Sequence, residues 1–487
     1  MNQLTFTGVS MHTRPTRLAT QRGLSLIELM ISLGISMVVL AGLTALLVNV
    51  STTNNELAKA NAQIENGRFA VQLIESEVVH AGFWGGFVPQ FDDVNWLVAP
   101  GDTPSAVPNP CLAYSAANWN FAHINNLVGI ALQSGDAAPG DCVLANKKTR
   151  TDVLVVRHAD TCVAGAAGCD AVVADKMYFQ ASLCTGGAAG TAIVGSTSST
   201  IKLEPVSSKS SSAAADNAYV GMTIRLTAGT GAGQSATISG YNGITNVATI
   251  TGTWVDTPDA TTKYSIVENV LSTTGLTLRK RGSDCAAAAV ADLRKFVSHI
   301  YYVRDYATTV GDGIPTLVRS EFDPAGPPAL AHQSAQALVE GIEGFAVELG
   351  LDNKVNRCTP HSNVVYSEIV KINPLTCVDD PNVEDNTLPT NRGDGNPDEF
   401  VRCTTAVPCT ADQLTNVVAV KIYLLVRNTE ASGSYKDTKT YCLAALAVGD
   451  VCPTGSSYGP FNDRFKRHLF STTVRLTNVS GRRETPI

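Results

Sequence analysis

The residues with the most obvious chemistry in this sequence are its cysteines. Their number is even, and none of their spacings forms the Cys-x2-Cys pair typical of zinc sites. Disulfides formed in an oxidising compartment are therefore expected, with free structural thiols as the alternative. Twelve cysteines leave the connectivity open, and short spacings favour four pairs: Cys162 with Cys169, Cys358 with Cys377, Cys403 with Cys409 and Cys442 with Cys452.

Two glycine-rich motifs resemble enzyme signatures in their residue order only. Gly455-Ser456-Ser457-Tyr458-Gly459 has the order of a nucleophile elbow, but no buried strand precedes it and Pro460 follows, which favours a turn. Residues 229–233 (GTGAG) lack the Lys-Ser/Thr ending of a phosphate-binding loop. The eight histidines are scattered and form no HExxH pair. The sequence therefore predicts neither enzyme activity nor a cofactor.

Carboxylates crowd residues 379–399, where their oxygen atoms could bind Ca²⁺. The calcium candidates are Asp394 and Asp398, in the run Arg392-Gly393-Asp394-Gly395-Asn396-Pro397-Asp398. This run lacks the ligand spacing of a calcium-binding loop, so a solvated loop is the expectation and no metal site is predicted.

Another carboxylate, Glu28, lies inside the longest apolar run of the chain, residues 24–50. As a helix this run is about 40 Å long, enough to span a bilayer. A carboxylate in hydrocarbon costs a few kcal/mol on insertion scales, so it is expected to have a partner or a function. The basic residues Arg14, Arg17 and Arg22 precede the run, which predicts a cytoplasmic N-terminus and an exported body.

Composition narrows the function classes further. The chain has 487 residues, a formal net charge of −7 and 44% hydrophobic residues. These values argue against direct nucleic-acid binding and against a wholly disordered chain. A single long apolar run argues against a polytopic membrane protein. One anchor and a large soluble body are therefore expected.

The residues around Glu28 resemble the type III signal of type IV prepilins and type II secretion pseudopilins. A basic leader, residues 1–23, ends in Gly23 and is followed by Leu24-Ser25-Leu26-Ile27-Glu28-Leu29. The resemblance implies that a prepilin peptidase cuts between Gly23 and Leu24 and methylates the new amine of Leu24. Leu24 stands where the family more often has Phe. Translation could start at Met1 or at Met11, which would give a shorter leader.

The same resemblance implies a role for Glu28 in assembly. After cleavage the amine of Leu24 is a cation inside the membrane, and the Glu28 carboxylate of a neighbouring subunit could neutralise it. Pairing of Glu28 within its own chain is the alternative.

A single long helix is expected from residue 24 to residue 82, because no proline interrupts this stretch. Residues 24–50 would form the membrane or filament-core half and residues 51–82 an amphipathic half. The predicted apolar seam of the second half is Leu57, Ala60, Ile64, Gly67, Val71, Ile74 and Val78. This seam would pack on the body, and coiled-coil pairing is the alternative.

The remainder predicts an α+β fold, in which the helix packs on an antiparallel β-sheet body formed by residues 83–196 and 269–487. Buried strands are expected at residues 152–157, 296–304, 316–319, 341–349, 416–427 and 465–476. Residues 197–268 combine a Ser/Ala-rich run with short Thr/Val/Ile strands and Asn242-Gly243, which favours an inserted β-module. Extension of the pilin sheet is the alternative.

Several segments of the body resemble PilW-type minor pilins: GFWGGF after the helix, IPTLVRSEF, LVEGIEGFAVELGLD, VVAVKIYLLVRNTE and KRHLFSTTVRLTN. The resemblance implies a role in a tip or priming complex, with other minor pilins, the major pilin and a tip adhesin as partners. It also implies an inner-membrane protein with a periplasmic body that moves to the pilus tip on assembly. A type II secretion pseudopilin is the nearest alternative, and a membrane-anchored periplasmic binding protein or enzyme is the more distant one.

Overall fold

The computed structural model describes residues 25–92, 102–115, 117–182, 188–205, 216–267, 269–276, 278, 290–324, 330–355, 359–360, 365–369, 389–390, 393, 395–433, 435–444, 451–453 and 455–483. The α-helices are α1 Leu26–His80, α2 Phe121–Gly129, α3 Ala411–Thr415 and α4 Thr477–Arg483. Strands β1 to β24 are, in chain order, Leu132–Gly135, Val153–Ala159, Tyr178–Ala181, Ala188–Thr191, Thr200–Lys202, Thr223–Ala228, Ser235–Asn242, Val247–Ile250, Lys263–Val267, Asn269–Ser272, Leu293–Arg304, Thr316–Pro324, Leu330–His332, Gln336–Glu340, Ile342–Leu351, Lys354–Val355, Thr359–Pro360, Val365–Ile369, Pro389–Thr390, Glu399–Val401, Val417–Arg427, Tyr441–Cys442, Ser457–Tyr458 and Arg467–Arg475.

The long helix expected at residues 24–82 is α1, observed from Leu26 to His80. The chain divides into two compact units, residues 1–59 and residues 60–487. The first unit holds the apolar run, whose large side chains from Leu26 to Val50 are exposed to solvent. Among the described helices, α1 is the one long and apolar enough to cross a membrane, with a mean hydropathy of 2.4 over its most apolar window.

In the second unit, the last five turns of α1 pack on the body through a stripe that differs in part from the predicted seam. Gly67, Ile74 and Val78 are buried as expected, but Gln63 and Ala70 complete the stripe. Leu57 and Ile64 were predicted in the seam and are exposed. The stripe can include Gln63 because its side-chain amide donates to the carbonyl oxygens of Val426 and Lys466, which satisfies a polar group in the core.

The body contains two large antiparallel sheets. The first has the order β1-β2-β11-β12-β13, with β14 also paired to β12 and β3 joining β10 to β11. The second has the order β20-β15-β21-β24. All six predicted strands are present, as parts of β2, β11, β12, β15, β21 and β24. Together with α1 they confirm the α+β fold.

One continuous bend connects the two sheets. β14 ends at Glu340 in the first sheet and β15 begins at Ile342 in the second. Gly341 between them has φ +80°, and a Cβ there would lie 2.6 Å from the carbonyl oxygen of Arg427. Only glycine adopts this conformation in so little space without strain. The main hydrophobic core combines Ile74 and Val78 of α1 with residues of both sheets.

A third sheet, with the order β4-β9-β6-β7-β8-β5, encloses its own core of aromatic and aliphatic side chains. The third sheet extends from Ala188 to Val267. The sequence predicted an inserted module at residues 197–268, so the observed sheet begins nine residues earlier. The strands on either side of it, β3 and β10, pair with each other, and Ala181 lies opposite Asn269. The chain therefore leaves and re-enters the body at neighbouring positions, as inserted modules commonly do.

Candidate assembly site

The N-terminal turn of α1 places the predicted assembly residue Glu28 in a capping box. The backbone N–H of Ser25 donates to Glu28 Oε2 at 3.1 Å, and the N–H of Glu28 donates to Ser25 Oγ at 3.3 Å. This reciprocal pair satisfies two amides that a helix start otherwise leaves free, and it places a carboxylate at the positive end of the helix dipole. The Ser-x-x-Glu spacing of Ser25 and Glu28 is a sequence signal for this cap.

Gly23 and Leu24, the predicted cleavage and methylation positions, lie outside the described residues. Glu28 itself is exposed. Its hydrogen-bond donor, the N–H of Ser25, belongs to the residue directly after Leu24, where cleavage would create the new amine. A carboxylate at this position can therefore accept a hydrogen bond from its own backbone and can also face a cation on another chain.

Farther along α1, Glu77 forms an ionic cluster with two strands of the first sheet. Glu77 Oε1 lies 3.1 Å from Nε2 of His158 on β2 and 2.6 Å from Nδ1 of His299 on β11. Burial opposes ionisation of Glu77, but the two imidazole hydrogen bonds outweigh it and hold the pKa of this carboxyl well below its ordinary value. The cluster therefore holds the end of the helix to the centre of the sheet.

Sequence reasoning missed this cluster. The histidines looked scattered because His158 and His299 are 141 positions apart in the sequence and come together only through the pairing of β2 with β11. Glu77 carries no local signal of its own. Among the described residues no group of three or more His, Cys, Asp or Glu side chains forms a metal-binding set, so the cluster is treated as structural.

At Gly67, α1 lies directly against a residue of the second sheet. A Cβ at this position would lie 2.3 Å from Cε2 of Phe470, a residue of β24. Glycine therefore lets the Phe470 ring lie directly on the helix backbone. The neighbouring residue Asn66 donates from its side chain to the carbonyl oxygen of Glu340 at 3.2 Å, so the contact also reaches β14.

The carboxyl-terminal helix α4 closes the region after α1. The guanidinium of Arg483 is fully buried and donates to Asp92 Oδ1 at 3.1 Å, to Asn416 Oδ1 at 2.9 Å and to the carbonyl oxygen of Thr415 at 2.7 Å. Asn478 donates to the carbonyl oxygen of Val79 at 3.0 Å. The end of the chain is thus bonded to the end of the long helix.

Disulfides join Cys162 to Cys169, Cys403 to Cys409, and Cys442 to Cys452, the three short-range pairs expected from their spacing. A fourth joins Cys111 to Cys142, which the sequence did not predict. The expected pair of Cys358 and Cys377 lies outside the described residues. Four disulfides among the described residues are consistent with an exported protein.

The other predicted motifs show no reactive geometry. Ser456 of the GSSYG stretch is buried, and its hydroxyl oxygen accepts a bond from Arg402. Residues 229–233 form the loop between β6 and β7. Asp398 accepts the N–H of Asn353 at 3.0 Å, as in an ordinary loop, and its fellow calcium candidate Asp394 lies outside the described residues.

Comparison with known families matches two parts of the chain. A family described as type IV pilus-assembly protein W matches residues 300–478, and the prokaryotic N-terminal methylation motif matches residues 18–44. No curated protein and no solved structure matches the chain.

The first match starts in β11 and ends in α4, so it includes all four strands of the second sheet and, from the first sheet, the end of β11 with β12, β13 and β14. The second includes Gly23, Leu24 and Glu28. The PilW family is a pilus-assembly family rather than a known enzyme family, and the methylation motif fits a pilin anchored in the inner membrane. The two matches and the helix-on-sheet fold support a PilW-type minor pilin of the type IV pilus.

Proposed function

We propose that this minor pilin belongs to a complex that primes pilus assembly and remains at the pilus tip. The observation that carries the proposal is the presence, on one chain, of a methylation motif at residues 18–44 and a PilW match at residues 300–478. The body is large, since the second compact unit extends from residue 60 to residue 487. A bulky body suits a tip position because repeated packing along a shaft leaves little room for it.

In the proposed pathway the N-terminus faces the cytoplasm and the body lies in the periplasm before assembly. The basic residues Arg14, Arg17 and Arg22 support this orientation. Prepilin peptidase cuts between Gly23 and Leu24 and methylates Leu24. The subunit then joins other minor pilins, the major pilin and a tip adhesin through the apolar helix.

Glu28 has two roles in this proposal. In the single chain it caps α1 by accepting the Ser25 N–H. During assembly its carboxylate pairs with the amine of a neighbouring subunit, because neutralising both charges together lowers the cost of burying either in hydrocarbon. The two roles can be separated, since Ser25 takes part only in the first.

The test compares Glu28→Ala with Ser25→Ala in cells that express a prepilin peptidase. We expect Glu28→Ala to enter the membrane and be cleaved to a peptide that starts at N-methyl-Leu24, yet to fall at least tenfold in sheared pili. We expect Ser25→Ala, which removes the hydroxyl of the cap but keeps the carboxylate, to remain in pili. Equal loss in both variants would mean that Glu28 acts only as a helix cap.

The priming role is tested by deleting the chain and counting surface pili, and the tip position by immunogold labelling of the body. Few or no pili, restored by the wild-type chain with label at pilus ends, is the expected result. Normal pili with loss of protein secretion instead would favour a type II secretion pseudopilin.

A further inference from the structure

The outer edge of β24 is an unusually long free strand edge. β24 has nine residues and ends the second sheet, and among the described strands it pairs only with β21. The other end strands of the three large sheets are shorter: β1 and β4 have four residues, and β5, β13 and β20 have three. Short edges are a common protection against unwanted strand pairing. β24 lacks that protection.

The hydrogen-bond register shows which backbone groups of β24 point outward. The N–H of Leu476 donates to the carbonyl oxygen of Val418, and the N–H of Asn428 donates to that of Lys466. Even-numbered residues of β24 therefore bond to β21, and odd-numbered residues direct their N–H and C=O groups away from it. Within the described part of the chain, the outward groups of Leu469, Ser471 and Thr473 have no hydrogen-bond partner.

The edge is regular as well as free. The register between β21 and β24 runs from Ala419 and Arg475 to Arg427 and Arg467 without a bulge. Residues 468–474 contain no proline and no Lys, Arg, Asp or Glu. The side chains of Ser471 and Thr473 are exposed, whereas Phe470 and Val474 face α1 and the core. Nothing at the middle of the edge would repel an added strand.

The ends of this edge carry positive charge. Residues 464–483 contain no acidic residue, although the whole chain has a net charge of −7. Arg464 is exposed at one end, and at the other Arg475 is exposed and donates to the carbonyl oxygen of Gly395 at 3.1 Å. Pairing with a second copy of β24 would bring like charges together. A strand with carboxylates at its ends would complement them.

We propose that β24 is a β-augmentation site that pairs edge to edge with an acidic strand of a neighbouring pilin subunit. The inference rests on the proposed function, because it names the contact by which the body would join another subunit. Main-chain hydrogen bonds to Leu469, Ser471 and Thr473 would supply the pairing, and Arg464 and Arg475 would select the acidic partner. α1 packs on one face of β24, at Phe470, and does not cover its outer edge, where Ser471 and Thr473 are exposed.

The test places the photo-crosslinking residue benzoylphenylalanine at position 473 of the full chain and irradiates assembled pili. The expected adduct joins position 473 to an acidic strand of another pilin subunit, identified by mass spectrometry of the crosslinked peptide. The same crosslinker at Ser239, exposed on β7 of the third sheet, serves as the control and should give no such adduct.

Two further substitutions test the backbone and the charges separately. Ser471→Pro removes only an outward N–H, so it should leave the β21 pairing intact and lower the crosslink at least tenfold, whereas Ser471→Ala should not. Arg475→Glu, which keeps every backbone group, should also lower the crosslink several-fold. It keeps the test informative if the proline variant misfolds.

The outcomes separate the two proposals. A wild-type chain that is absent from pili would overturn both the proposed function and this inference. A chain that is present in pili but gives no adduct at position 473, or an adduct only with a second copy of itself, would overturn the inference alone. A crosslink unaffected by both Ser471→Pro and Arg475→Glu would also overturn it.

Discussion

Glu77 shows how one side chain can hold the long helix on the body. Its carboxylate faces His158 and His299 on two adjacent strands, in a site where each of the three side chains is at most 14% exposed. Tyr301 lies two residues farther along β11. Burial raises the pKa of its hydroxyl, and the negative charge of Glu77 raises it further. Removing the carboxylate leaves the two buried imidazoles without their shared hydrogen-bond partner.

The lowered pKa of Glu77 predicts acid sensitivity of the folded chain. The carboxyl ionises at its ordinary value of 4.5 in the unfolded chain but well below it in the folded one. The stabilisation of the folded chain by ionised Glu77 is therefore complete above pH 4.5. It is lost as the pH falls below that value, because Glu77 then binds a proton in the unfolded chain but not in the folded one. We expect Glu77→Gln to melt at a lower temperature than wild type at pH 7.

The same variant should also lose less stability than wild type between pH 4.5 and pH 3, since its residue 77 cannot titrate. Thermal melts of the detergent-purified chain over this range measure both effects. Glu65→Gln, an exposed change on the same helix, should melt like wild type throughout. Parallel pH profiles for wild type and Glu77→Gln would contradict the assigned role.

At the scale of the elements, the contact between α1 and β24 depends on the absence of a side chain at Gly67. An alanine in a helix normally stabilises it by about 1 kcal/mol relative to glycine. At position 67 the added methyl group would overlap the Phe470 ring, so the helix or the ring must move. Overpacking of this kind typically costs about 1–3 kcal/mol.

We therefore expect Gly67→Ala to destabilise the chain by up to about 2 kcal/mol, which is the overpacking cost less the gain in helix propensity. Gly481→Ala in α4 has open space around its added methyl and should be neutral or slightly stabilising. Denaturant unfolding of both variants, and of Gly67→Ala combined with Phe470→Ala, forms a double-mutant cycle. Additive effects of the two changes would rule out a clash between positions 67 and 470.

The elements themselves could be predicted better than the contacts between them. Alternating or continuous apolar runs such as residues 416–427 indicate strands, and the absence of proline indicates the long helix. The side of α1 that packs is harder to predict, because Leu57 and Ile64 look apolar but face solvent, while Gln63 is buried by bonds to two distant carbonyl groups. Hydrophobic periodicity does not contain that information.

The residues of the candidate site also differ in how well the sequence predicts them. Glu28 could be found because its chemistry conflicts with its apolar surroundings, and that conflict is local. The cluster of Glu77, His158 and His299 could not, because it depends on the register between β2 and β11. The bond from Arg483 to Asp92 likewise joins residues from opposite ends of the body.

At the scale of the whole molecule, the third sheet has its own core, and a charged side chain joins it to the body. Arg225 of β6 lies 3.6 Å above the Phe121 ring of α2 and donates to Asn125 Oδ1 at 2.9 Å. Burial lowers the pKa of Arg225 to about 9, and the nearby carboxylate of Asp102 partly offsets that effect. The sheet is therefore held against the body while its own core remains separate.

This arrangement predicts that the third sheet can be removed without unfolding the pilin body. Ala181 and Asn269 are directly paired, so Asn-Gly in place of residues 182–268 would turn β3 and β10 into a two-residue hairpin. The excised chain should keep the four disulfides of the described residues, including Cys111–Cys142 near α2, because all eight of these cysteines lie outside residues 182–268, which contain Cys184 alone. It should melt cooperatively and at a slightly lower temperature, since Phe121 and Asn125 lose their contact with Arg225.

Arg225→Met in the full chain is the matched control and should reproduce much of that decrease in melting temperature. Calorimetry and mapping of these four disulfides test the prediction, and an excised chain that no longer melts cooperatively would show that the third sheet is an integral part of the body's fold.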